Sequence, residues 1–313
     1  MTEANITIET RLNAADLSAA HRLQPILASA LKVDLSSPSL ENAQAYWSAA
    51  FFHLDKVAIF NDASPTEKDE ILTRCSQSLL AEAYYIEKCG MYFAPKMCLL
   101  AESTAEKMLY SLFAADEARH FNQIAAFVSP QAVADCLHNP FIQLLDDVLR
   151  YGNKTTLTYI IQVLLEGWGI RHYHALAGNA QNAGLKETLT TILKDEARHH
   201  GSGLLLFNEK RLTENQLAEI IDPLRQFFRM VQIGPQAVVS AIEQVKGHLS
   251  IAQRTAIFSE LNTVAESEKK LAVLTSLIKS AAYADDILSR LERAGALRAF
   301  PAAECAAIRD TAS

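Results

Sequence analysis

Apolar side chains recur every three to four residues along nearly the whole chain, and no stretch alternates with the period of two that marks a strand. The pattern predicts helix after helix. One amphipathic helix runs from Asp16 to Leu31, and a second pattern runs from Ser39 to about Phe60, offering Trp47, Phe51, Leu54 and Ile59 for burial. Ser64-Pro65-Thr66-Glu67 is a helix start, and the helix it opens extends from Thr66 to about Ala101. Gly90 and Pro95 lie inside that helix, so the alternative is a helix that ends near Gly90 and restarts. Ser103-Thr104-Ala105-Glu106 has the form of a capping box, and the helix it begins reaches Phe127 before Ser129-Pro130. A bridging section is broken at Asn139-Pro140. Helices follow over 155–177 and 185–209, separated by the Gly- and Asn-rich turn 178–184. Beyond Thr213 the pattern is again helical, with breaks at Gly234-Pro235 and Gly247. A last long helix is expected from Ser250 to Ala294, its apolar face formed by Leu271, Leu274, Leu277, Ile278, Ile287, Leu288 and Leu291. The fold class is therefore all-α. A single all-helical domain is expected, with N-terminal helices in 1–65, a four-helix bundle in 66–210 and a helical extension in 211–313.

Two of these helices carry the same five letters. Residues 116–120 and 195–199 both read Asp-Glu-Ala-Arg-His. On a helix, Glu and His three positions apart share a face. Two Glu-x-x-His pairs from different helices, with one Glu from each of two more, form the di-iron carboxylate site of a ferritin-like bundle. The partner carboxylates follow from folding each helix pair about its turn. Gln181 is the middle of the second turn; Glu196 lies fifteen residues after it and Glu166 fifteen before. The first turn centres near Glu102, with Glu117 fifteen after and Glu87 fifteen before. The sets Glu87, Glu117, His120 and Glu166, Glu196, His199 then repeat at a constant offset of 79. Glu82 is the rival for the first position, favoured if the helix restarts near Gly90, but it breaks the repeat.

A site rich in carboxylates with one imidazole per metal suits two iron ions, with a mixed manganese and iron pair also compatible. A metal-bound His gives its other N–H to a carboxylate in many sites. Asp116 and Asp195 are candidates for that role, with Arg119 and Arg198 as their ion-pair partners. Residues one or two helical turns from the ligands nominate a substrate pocket: Tyr84, Met91, Phe113, Phe121, Ile124, Tyr159, Gln162, Gly169, Ile170, Tyr173, Ile192 and Gly203. Most are apolar or aromatic, as ordinary bundle core would be, and together they suit a hydrophobic or aromatic substrate. Gly167 and Gly169 flank Trp168 beside Glu166, a pairing that permits a π-bulge. His172 and His174 are spaced six and eight from Glu166, and His200 points about 100° from His199, so all three are read as packed or surface residues.

Over about residues 66–210 the paired motif resembles the ferritin-like di-iron oxygenases and oxidases. It is similar to bacterial multicomponent monooxygenase hydroxylases, acyl-carrier-protein desaturases and the aerobic magnesium-protoporphyrin ester cyclases, whose motifs include the same five letters. The resemblance implies an O2-dependent di-iron enzyme in which Glu87, Glu117, His120, Glu166, Glu196 and His199 are ligands and Glu117 and Glu196 bridge. It implies hydroxylation, desaturation, N-oxygenation or oxidative cleavage, with O2 as co-substrate. The chain departs from relatives at two positions. Ile124 stands where ribonucleotide reductase small subunits have a radical Tyr, and Ile170 where the multicomponent hydroxylases have a Thr.

Composition narrows the remaining classes. Half of the 313 residues are hydrophobic, and 11 Gly and 9 Pro suit long helices with few loops. A net charge of −7 gives no basic footprint for nucleic acid. The five cysteines form no C-x-x-C pair, which fits reduced thiols in the cytoplasm. The polar start lacks a signal-peptide plan, and no apolar run approaches the ~20 residues of a membrane span. With no flavin or nicotinamide fingerprint, electrons are expected from a ferredoxin or reductase. A homodimer is compatible with the sequence. The alternative function is iron handling by a ferroxidase or ferritin-like protein without an organic substrate.

Overall fold

The computed structural model describes residues 6–12, 22–31 and 44–308. Among them every regular element is helical. In chain order these are α1 (Gln24–Leu31), a 3-10 turn (Leu54–Lys56), α2 (Ala58–Asn61), α3 (Pro65–Leu100), α4 (Thr104–Ala125), α5 (Pro130–Cys136), α6 (Pro140–Tyr151) and α7 (Lys154–Leu157). A π-helix (Thr158–Leu165) leads directly into α8 (Glu166–Asn179), and α9 (Ala183–Asn208) follows. The rest is α10 (Glu214–Gln232), α11 (Gln236–Lys246), α12 (Ile251–Glu260), α13 (Thr263–Lys279), α14 (Ala284–Arg293) and α15 (Ala302–Ala307). No helix among the described residues is long and apolar enough to cross a membrane. The expected helix from Asp16 lies partly outside the described residues; its second half is α1.

By contacts the chain divides into two compact units, one of residues 1–43 and 79–157, the other of residues 44–78 and 158–313. Helix α3 begins in the second unit and continues into the first. In the first unit, α3 and α4 form an antiparallel pair. Tyr84 meets Phe121 with ring centroids 4.9 Å apart, and Phe93 meets Tyr110 at 6.1 Å. Ser103 caps α4 by accepting from Glu106 N at 3.2 Å, while the Glu106 carboxylate turns back to Glu102 N at 3.0 Å. Helix α3 does not break. Pro95 removes one backbone donor but lies on the exposed side, and its neighbours Phe93, Ala94, Lys96 and Met97 are all buried. Packing on both sides of the proline outweighs the lost bond. Buried Lys96 spans to the end of α6, donating to Leu149 O at 2.8 Å, Arg150 O at 3.3 Å and Gly152 O at 2.9 Å. These carbonyls close a helix C-terminus, where a cation is favoured.

In the second unit, the π-helix and α8 pack antiparallel on α9, with Asn182 capping α9 through Leu185 N at 2.9 Å. Of the helix expected from Ser39 to about Phe60, residues 39–43 lie outside the described residues, and the segment 44–53 is irregular instead. Its backbone is committed elsewhere: Tyr46 N donates to Ser76 Oγ at 3.0 Å and Tyr46 O accepts from Gln181 N at 2.9 Å. Trp47 Nε1 donates to Leu176 O at 2.9 Å, and His53 takes a left-handed φ of 58°. Trp47 and Leu54 are nevertheless fully buried. The helix expected over 250–294 is three helices, α12 to α14. It turns at Asn262 and Tyr283, with φ of 53° and 63°. Tyr283 is held there by its hydroxyl, which donates to Lys210 O at 3.2 Å and accepts from Leu212 N at 2.9 Å.

Candidate metal centre

Each unit contains one group of two carboxylates and an imidazole, fully buried in the first unit and buried except for Glu166 in the second. In the first unit, Glu87 on α3 meets Glu117 and His120 on α4, with ligand atoms of all three within 4.8 Å of one another. His120 Nδ1 is 3.3 Å from Glu87 Oε2. All three are buried. Glu82, the rival for this position, is only half-buried and lies on the side of Cys136. Burial above all, then the negative charge of Glu87, pushes the Glu117 carboxyl well above the usual carboxylate range, with His120 opposing. Two carboxylates confined in the dark of a protein interior call for positive charge between them, which a divalent cation supplies.

The second unit repeats the arrangement. His199 Nδ1 on α9 lies 3.9 Å from Glu166 Oε1 on α8 and 3.8 Å from Glu196 Oε2. Glu196 and His199 are buried; the Glu166 side chain is 14% exposed. In both units the imidazole turns Nδ1 toward the carboxylates. Oxygen donors with one nitrogen fit a hard or borderline divalent ion such as Fe(II).

The register differs from simple reflection about the turn, and by the same amount in both units. Glu87, fifteen residues before Glu102, lies against His120, eighteen after it. Glu166 lies against His199 with the same two spacings about Gln181. The cause is the tilt of helical side chains toward their own N-terminus. In an antiparallel pair that tilt carries the first helix's side chains away from the turn and the second helix's toward it. The contacts to the histidines are therefore offset from reflection, while Glu87 also meets Glu117 at the mirrored position. The shift is close to one helical turn, so the same face stays inward.

Glycines make the close approaches possible. A Cβ at Gly90 would lie 2.8 Å from Glu117 Cγ and would overlap its carboxylate. At Gly167 it would lie 2.7 Å from His200 Cε1, and at Gly203 2.5 Å from Gln162 Cβ. The sequence raises Gly90 only as a helix breaker. Its position in mid-helix, where glycine costs about 1 kcal/mol relative to alanine, was the available sign of close approach. The π segment lies at 158–165, just before Gly167 rather than at it. There Gln162 Nε2 donates to His199 O and Ser202 Oγ, both at 3.2 Å, and Gln162 O lies 3.3 Å from His200 Nδ1.

The flanking acids pair within their own helices: Asp116 with Arg119, and Asp195 with Arg198 at 2.6 Å. Of the pocket candidates in the first unit, Tyr84, Phe113 and Ile124 are buried and Phe121 is half-buried. In the second, Tyr159, Gln162 and Tyr173 are buried and Ile170 is half-buried. Lys88 was not singled out from sequence. It is buried beside Glu87, with Nζ 5.3 Å from the Tyr84 ring centre, 5.8 Å from that of Phe121 and 3.3 Å from the Tyr84 hydroxyl. His174 is exposed, and His200 packs on Gly167.

Residues 72–208 match the family model of the ferritin-like domain, a stretch that takes in both triads and the helices that carry them. The matched stretch is similar to the ferritin-like domain, and a further set of helices follows it from α10 onward. No curated protein and no solved structure gave a match.

Proposed function

We propose that this protein is an O2-dependent non-haem di-iron oxygenase or oxidase acting on a small hydrophobic or aromatic molecule. Glu87, Glu117 and His120 in the first unit, and Glu166, Glu196 and His199 in the second, would be the residues that hold the irons. The observation that carries this is the same Glu, Glu, His group, all but Glu166 buried, built twice at constant spacing within a stretch that matches the ferritin-like domain. When bound, the irons supply the reduction of O2 and the oxidising power.

The chain's own residues do the rest. The glutamates and the Nδ1 atoms of the two histidines would hold the ions. Asp116 with Arg119, and Asp195 with Arg198, brace the helical turns that present them. Tyr84 and Phe121 on one side, and Tyr159 and Tyr173 on the other, surround the ligand-bearing turns with aromatic surface that keeps water away. A ferredoxin or reductase supplies electrons. The aromatic surroundings, and some hundred residues of helix beyond the ferritin-like domain, favour an organic substrate over iron storage.

The test is mass spectrometry of candidate substrates incubated with iron-loaded protein, a reductant and isotopically heavy O2. An oxidised organic product dependent on protein, iron and reductant supports the reading. Iron oxidation that proceeds with every candidate unchanged supports the ferroxidase alternative instead.

A further inference from the structure

Tyr159 lies in the first turn of the π-helical segment and is fully buried. Its hydroxyl has no hydrogen-bond partner among the described residues. Its ring packs on Phe207 of α9 at 4.6 Å between centroids. A buried hydroxyl without a partner lowers stability by its desolvation cost, and native interiors hold few of them. Phenylalanine would fill the same space without that cost. The hydroxyl therefore points to a ligand.

Its position tells what kind. Along α9, His199, Gly203 and Phe207 follow at four-residue spacing, so they share a face. Across from them stand Glu166, Gln162 and Tyr159 in the same order. Tyr159 thus lies on the ligand-bearing side, roughly 10 Å along the helix axis from Glu166 at about 1.5 Å per residue. A π-helix at this place is itself typical of functional sites.

Two roles can be separated chemically. A tyrosine that gives up an electron must pass its proton to an acceptor, and none is within reach among the described residues. That argues against a redox role and for hydrogen-bond donation to a ligand. Burial pushes the phenol's pKa up, so it stays a donor throughout the neutral range. Its ring packs on Phe207, and no charged group pairs with the hydroxyl among the described residues to offset a carboxylate, so the acceptor is neutral.

We propose that the Tyr159 hydroxyl grips a neutral carbonyl or ether oxygen at one end of an elongated apolar substrate, whose reacting end lies near Glu166 and His199. This rests on the di-iron oxygenase reading for the reacting end only. The probes are 2-nonanone and nonane, their binding to the full-length protein followed by headspace gas chromatography. Tyr159→Phe should weaken 2-nonanone by about three- to tenfold, the worth of one neutral hydrogen bond. Nonane binding should stay the same, and the variant should resist urea at least as well as the parent. Equal weakening of both probes, unchanged 2-nonanone binding, no binding of 2-nonanone to the parent, or a lower urea midpoint would each overturn the proposal. Iron content measured on the same samples separates the two readings. Full iron loading without the ketone effect sinks the anchor alone, and the ketone effect without iron binding sinks the metal centre alone.

Discussion

Replacing Gly90 by alanine separates the fold from the metal centre. The new methyl would lie 2.5 Å from Glu117 Cδ and overlap its carboxylate, while Gly90 itself sits in the regular helix α3. Alanine gains about 1 kcal/mol of helix propensity over glycine. The clash falls on the far end of a flexible side chain, which can rotate away, so the two effects nearly cancel and stability should change by no more than about 1 kcal/mol. Glu117, however, can no longer stand beside Glu87 and His120. Loss of an outer hydrogen-bond partner alone costs a metal site about 10–100-fold in affinity, and displacing a ligand should cost at least that. The assay pairs urea unfolding with anaerobic titration of ferrous iron. Near-parental stability with iron binding weakened at least tenfold is the expected result. Near-parental iron affinity in a folded Gly90→Ala protein would show that the Glu117 carboxylate is not needed where the structure puts it.

Three further variants probe the scaffold. Gly203→Ala drives a methyl to 2.5 Å from Gln162 Cβ and 3.2 Å from its backbone carbon, which cannot rotate away; it should cost about 1–3 kcal/mol in urea unfolding, and an unchanged midpoint would refute the close packing. Lys96→Met strips the donor from three carbonyls at the end of α6 and should cost about 2–4 kcal/mol, whereas a neutral result would mean that water caps them equally well. Burial, with help from the nearby charge of Lys270, lowers the His172 pKa to about 4 from 6.5. The unfolded chain then binds the extra proton between those values, so this residue's contribution is full above pH 6.5 and falls as pH drops toward 4, by at most about 3 kcal/mol. His172→Gln should flatten that part of the stability–pH curve, and an identical slope in both proteins would contradict the assignment.

The helices that bear the candidate ligands were legible because their signals are local. The Ser103 and Asn182 caps, the Gly- and Asn-rich turn and the duplicated five-residue motif set boundaries and faces without reference to the rest of the chain. The ligand set needed only that facing residues lie near mirrored positions. Glu87 meets His120, and Glu166 meets His199, about a turn beyond the mirrored position, and one turn returns to the same face. What sequence could not show depends on contacts between distant segments. Tyr46 and Trp47 give their polar groups to Ser76, Gln181 and Leu176, which dissolves a helix that apolar spacing alone implies. Tyr283 turns the chain because its hydroxyl is held near Lys210 and Leu212. The role of Gly90 depends on Glu117, twenty-seven residues away. Lys88 reads as a surface charge until Tyr84 and Phe121 are seen around it.

The most direct test is the iron stoichiometry of the full-length protein after anaerobic loading with ferrous ion, measured beside Glu117→Ala and Glu196→Ala. Two irons per chain in the parent, and at most one in either variant with the helical circular-dichroism signal intact, is the result expected if both Glu, Glu, His triads hold iron. Iron content that is the same in all three proteins would mean that these carboxylates hold no metal.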